Sequence, residues 1–124
     1  MDIKLVAIVA CGGATGAVLR YSIPSLFPGH YGISNTIIIN LLGSLFVGIL
    51  FGAISAGLDI SEETILLIGT GVLGAFTTMS AFAIESIELI QENQLMATVY
   101  IFISVFGSIF FAGGGYSVII YIMQ

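Results

Sequence analysis

The few side chains in these 124 residues that could do chemistry fall into lines. Asn40, Ser44, Gly48, Gly52 and Ala56 recur every four residues, as do Tyr100, Ser104 and Ser108. Helical positions four apart lie one above another, so the first set is a stripe of small residues headed by an amide. The second is a column of three hydroxyls. A small-residue stripe lets another helix backbone come close. Asn40 needs more, because a buried amide has two donor hydrogens and an acceptor to satisfy. It either glues helices together or presents its NH2 to an anion. Each serine alone can back-bond to the carbonyl four residues earlier. Three hydroxyls in register, ending beside the flexible run Gly113-Gly114-Gly115, read as a polar track. Between Gly69 and Phe82, three glycines within six residues are followed by Thr77-Thr78 and Ser80, a weak helix former in water. Glu85 and Glu88 follow Phe82 at intervals of three and share its face. Glu88 is expected near solvent and Glu85 deeper, where a carboxyl needs a partner or a proton.

The elements that carry these residues must lie in a membrane. Hydrophobic residues make up 58% of the chain and charged ones 7%, against about 25% charged in a typical globular protein. Only Lys4 and Arg20 are basic, which excludes nucleic acid as a partner, since phosphate contacts need clustered cations. Cys11 has no second cysteine to pair with and reads as a small packing residue; a Cys/His metal site is not expected. No nucleophile–base pair or ATP-binding motif appears, so no enzyme is expected.

A lipid bilayer core of about 30 Å takes roughly 20 apolar helical residues, and four stretches have that length. They run from about Ile3 to Ile23, ending before Pro24; from Ser34 to Gly57; from Glu63 to Ile90; and from Met96 to Ile122. The links are Pro28-Gly29-His30-Tyr31-Gly32, Leu58-Asp59-Ile60-Ser61 and Gln91-Glu92-Asn93-Gln94, with His30 read as a solvated loop histidine. Ser61-Glu62-Glu63 has the hydroxyl and carboxylates of a helix start. The first stretch lacks a small-residue cleavage site and reads as retained. The fold class is therefore all-α: one domain, residues 1–124, of four transmembrane helices with the third broken. A break at membrane depth is tolerated where it is buried in protein or lines a cavity, and it frees backbone groups for ions. Lys4 and Arg20 stand at opposite ends of the first helix, so their topological votes nearly cancel. This near-balance is either a small-number accident or a licence to insert both ways, which would permit an antiparallel homodimer.

Three segments together resemble the small fluoride channels of the Fluc, or CrcB, family. They are Gly12-Gly13-Ala14-Thr15-Gly16-Ala17-Val18-Leu19-Arg20-Tyr21; Asn40-Leu41-Leu42-Gly43-Ser44-Leu45-Phe46-Val47-Gly48; and Gly74-Ala75-Phe76-Thr77-Thr78-Met79-Ser80-Ala81-Phe82 with Glu85. The resemblance covers the whole chain. It implies an antiparallel, dual-topology dimer with two pores and a central structural Na+ held by the backbone carbonyls of Gly74 and Thr77 from both subunits. It maps the pore amide to Asn40, the two pore phenylalanines to Met79 and Phe82, and the polar track to Tyr100, Ser104 and Ser108. Thr78 and Ser80 belong to the pore signature, Arg20 maps to a vestibule arginine, and Glu85 stands beside it as a gating candidate. Two residues depart from the pattern: Met79 replaces a phenylalanine and Ala81 a threonine. Either a thioether serves at the pore wall, or Met79 is core filler, or one pore is degraded and the partner is a homologous subunit.

Fluoride is small and strongly hydrated, so a dry pore must replace its water with donors. The Asn40 NH2 and the hydroxyls of Thr78, Tyr100, Ser104 and Ser108 can donate, and Phe82 can offer the positive rim of its ring. Without Lys or Arg at the narrowest point, binding stays weak enough for the ion to leave. The alternative is a proton-coupled transporter of the small multidrug type, which would place a carboxylate within the first helix; none follows Asp2 there. A non-transporting assembly subunit would need the packing stripes but not the amide, the break and the track together.

Overall fold

The structure is a computed structural model and describes residues 1–26 and 34–124. The first link, with His30, lies outside the described residues. Four helical spans are long and apolar enough to cross a membrane: Ile3–Leu26, Asn35–Ser55, Glu62–Glu92 and Gln94–Met123. They coincide with the four stretches read from the sequence, and the chain is a multi-pass membrane protein.

Helix α1 (Ile3–Leu26) does not stop before Pro24 but runs through it. Proline lacks one N–H and crowds the carbonyl four residues back. In the last turn that forfeits a single bond, to the Arg20 carbonyl, and the helix closes two residues later. Helix α2 (Asn35–Ser55) starts under the hydroxyl of Ser34, which accepts from the Thr36 N–H. It ends in a Schellman turn. Gly57 takes φ 89°, its N–H donates to the Ile54 carbonyl, and the Leu58 N–H donates to that of Ala53, both at 3.0 Å.

The third span is composite. Helix α3 (Glu62–Ile65) starts at the expected cap, Ser61. A π-helical stretch, Leu66–Leu73, leads into α4 (Gly74–Phe76), and α5 (Met79–Glu92) completes the span. The interruption falls at Thr77 and Thr78, both extended, and not among the glycines. The glycines stay helical, and Gly71 serves contact. Gly71 lies against Gly12, and a side chain on Gly12 or Gly16 would run into the backbone of Leu67 or Val72. The threonines, β-branched and stiff, suit extended backbone better.

Helix α6 (Gln94–Met123) begins a single residue after α5, so the expected four-residue link contracts to Asn93. Its side-chain oxygen accepts from the N–H groups of Leu95 and Met96. The glycine run 113–115, expected to be flexible, remains helical.

Two parallel pairs make the body. Helix α1 packs along the third span, tied by Lys4 to Glu63 at 3.0 Å and by the glycine contacts further along. Helix α2 packs along α6: a side chain on Gly48 would strike Ala112, and one on Gly52 would strike Tyr116. The lower half of the small-residue stripe is therefore a packing seam. Ile23, Ile39 and Phe76 join the two pairs in a buried cluster. Phe46, Phe51, Phe102, Phe106 and Phe110 face outward, as apolar side chains can where hydrocarbon surrounds the protein.

Candidate functional site

Between α2, the break and α6 lies a cavity of ≈ 410 Å³, its wall including Asn40, Ser44, Thr78, Met79, Phe82, Ser104 and Ser108. The site begins with the break. Leaving helical geometry at Thr77 deprives nearby peptide groups of their partners, and each must find another. The Thr78 N–H donates to the Asn40 side-chain oxygen at 2.8 Å, and Asn40 Nδ2 donates to the Thr78 carbonyl at 3.1 Å. One amide thus replaces the backbone bonds that the break removes. Of the two uses open to Asn40, the interhelical one is realised. It takes one of the two Nδ2 hydrogens and leaves the residue on the cavity wall.

Thr78 caps α5, its hydroxyl accepting from the Ala81 N–H at 3.2 Å and lying 3.3 Å from the Ser80 hydroxyl. Ser80 itself is exposed and off the cavity wall. Met79 sits on the wall but is 74% exposed. Phe82 stacks one face on Tyr100, with ring centroids 5.6 Å apart, which leaves its rim and other face for the cavity.

The expected column on α6 divides. Ser104 and Ser108 line the cavity, whereas Tyr100 does not; its hydroxyl donates to Glu85 at 2.6 Å. Helical side chains lean toward the N-terminus, and the long phenol carries its hydroxyl away from the serines, to Glu85 on α5. Ser104 is buried, and its hydroxyl has no hydrogen-bond partner among the described residues. The Asn35 side-chain oxygen, off the cavity wall, is likewise unpaired among the described residues, but the Ser104 hydroxyl is the one placed to donate into the cavity.

Glu85 is held on three sides. Ser34 and Tyr100 donate to one carboxyl oxygen and Thr36 to the other, each at 2.6 Å. Ser34 and Thr36 were not legible as its partners, since in sequence they read only as a helix start 49 and more residues away. Arg20, expected beside a vestibule, is half-buried, with Nη1 donating to the Thr77 carbonyl at 3.2 Å. The reciprocal pairing of Asn40 with Thr78 and the cavity position of Ser44 were likewise not read from the sequence.

The two carbonyls implied as Na+ ligands differ. The helical donor to Gly74 would be the Thr78 N–H, which Asn40 has taken, so the Gly74 carbonyl is released. Gly74 is also exposed on the outside of the chain. The Thr77 carbonyl spends one lone pair on Arg20. Hard carbonyl oxygens suit a small cation, and the fit is good at Gly74 and shared at Thr77.

Four spans, a broken third helix and a membrane-depth cavity with donors and no fixed charge define a small pore-type membrane protein. The family model described as CrcB-like protein, Camphor Resistance (CrcB), matches residues 7–116, and the chain belongs to that family. A relative from Pyrococcus furiosus named "Fluoride-specific ion channel FluC" is 41% identical over 112 residues, covering 89% of this chain and 91% of its own. Relatives of the same name from Methanococcus aeolicus and Thermotoga maritima are 43% and 46% identical, over 84% and 74% of this chain and 85% and 76% of their own. These relatives are named as channels, not enzymes, and the proton-coupled transporter alternative finds no support among them.

Proposed function

We propose that this chain is a fluoride-selective channel that lets the anion leave the cell passively through the cavity beside the helix break. The observation that carries the reading is the buried Ser104 hydroxyl, without a partner in a cavity whose wall adds Asn40, Thr78 and Ser108 as donors. The names of the relatives support the choice of ion. Donors fixed by the fold exchange for the ion's water. Asn40 keeps one amide hydrogen beyond the one it gives to Thr78, and Phe82 turns its rim where Tyr100 leaves it free. Neither basic side chain lines this cavity, so the anion is not trapped. A potential negative inside drives one anion outward with about 2.3 kcal/mol per 100 mV, so no energy-coupling step is needed.

The functional unit on this reading is two copies inserted in opposite directions. Supporting it are the near-balanced topological charges and the exposed position of Met79 beside the cavity. A Na+ at the two-fold, held by Gly74 and Thr77 carbonyls of both copies, would supply positive charge to the oxygens that the breaks release. Glu85 fixes Tyr100, and through its ring Phe82; Arg20 steadies the Thr77 carbonyl. The test is a planar-bilayer current with fluoride and chloride gradients opposed. The reversal potential is expected to follow fluoride. A value set by chloride or by protons would sink the reading.

A further inference from the structure

Several helical hydroxyls in this chain satisfy themselves. Thr15, Ser22, Ser86 and Thr98 each donate to the carbonyl four residues back, at 2.7 to 2.9 Å, and Thr77 at the break does so at 3.0 Å. Ser44, Ser104 and Ser108 do not, and all three line the cavity. An idle hydroxyl alone decides nothing, since Ser25, Ser55, Thr70 and Ser117 are also idle among the described residues; those four face outward. Ser44 differs in where its helix puts it. Helices α2 and α6 run parallel, with Gly48 against Ala112 and Gly52 against Tyr116, one turn apart on each. The same register, carried back one turn, sets Ser44 level with Ser108, and carried back two turns it sets Asn40 level with Ser104. The stripe is thus two close-packed rungs followed by two polar ones, and the change falls where glycine gives way to serine.

We propose that Ser44 is a further fluoride-coordinating residue, forming with Ser108 a second polar rung one helical turn beyond the rung of Asn40 and Ser104. The proposal rests on the fluoride reading above. The Ser104 hydroxyl, unpaired among the described residues, leaves the first rung a donor to offer, and Ser44 lets the ion exchange one set of donors for the next without regaining its water. A hydroxyl suits this hand-over, because it donates one hydrogen and carries no charge to hold the anion.

The test uses the full-length chain in liposomes, with Ser44→Ala, Ser44→Thr, Ser108→Ala and the double Ser44→Ala/Ser108→Ala variant. Ser44→Ala is expected to lower fluoride flux on the order of tenfold, the scale of one charge-assisted hydrogen bond, with thermal midpoint and oligomeric state unchanged. Ser44→Thr restores most of the flux. The double variant loses less than the product of the two single losses, because both hydroxyls serve one ion. Parent-like flux in Ser44→Ala overturns the proposal, as does a flux loss that tracks a lowered midpoint or a double variant showing the full product. If the parent chain carries no fluoride, the channel reading fails and this inference with it. If the parent conducts and Ser44→Ala conducts equally, only the inference fails.

Discussion

Asn40 does two things that ordinarily compete: it closes the broken backbone at Thr78 and it faces the cavity. Replacing it with Asp removes the donor to the Thr78 carbonyl, sets two oxygens against each other and repels the anion. Fluoride flux is expected to collapse in Asn40→Asp, with a modest fall in thermal midpoint because a buried carbonyl loses its partner. Flux like the parent's in a folded Asn40→Asp protein would return Asn40 to a purely structural role. The two pore-wall positions should also differ. Phe82 is locked by the Tyr100 ring and supplies an aromatic rim, whereas Met79 is exposed and offers soft sulfur and methyl surface. Phe82→Ala is therefore expected to cost more flux than Met79→Ala, and Met79→Phe to keep selectivity. Comparing the three efflux rates checks this; the reverse order would mean that the thioether, not the ring, meets the ion.

Much of the helical architecture was legible because hydrophobic length and small-residue spacing are properties of one span at a time. The caps at Ser61 and the stripe on α2 follow from local chemistry. What was not legible depends on pairs distant in sequence. Glycines at 69, 71 and 74 look as weak as the threonines that follow them, yet all three stay helical, Gly71 packed against α1 and Gly69 facing Leu50 of α2, and within the weak stretch the break falls at Thr77 and Thr78. The Tyr100 hydroxyl leaves the serine column because Glu85 waits on another helix. The same packing gives a stability prediction. Gly16→Ala sets a methyl group against the Val72 backbone, and Gly48→Ala one against Ala112, each forcing rigid helices apart. Each is expected to cost about 1–3 kcal/mol. Gly113→Ala, where a methyl group meets nothing, should be neutral or slightly stabilising. Thermal unfolding in detergent separates the cases, and equal midpoints for all three would contradict the two-pair packing.

For the molecule as a whole, the sparse charges set how copies sit in the membrane. Lys4 is paired with Glu63 near one end of α1, while Arg20 near the other end keeps its charge, because its partner, the Thr77 carbonyl, is neutral; one basic residue therefore stands toward each end. If opposite insertion is required, charge bias should break it. Copies carrying Asp59→Lys and Glu62→Lys are expected to insert one way and lose flux. Co-expression with copies biased at the other end, by Gln91→Lys and Glu92→Lys, should restore it. Full flux from either biased chain alone would contradict the antiparallel pair. The most direct measurement remains fluoride efflux, followed with a fluoride electrode, from liposomes that contain only this purified chain. On electrical shunting, fluoride-loaded vesicles should empty rapidly while chloride-loaded ones retain their contents. Equal release of both halides, or retention of fluoride until a second, different subunit is added, would contradict a self-sufficient fluoride channel.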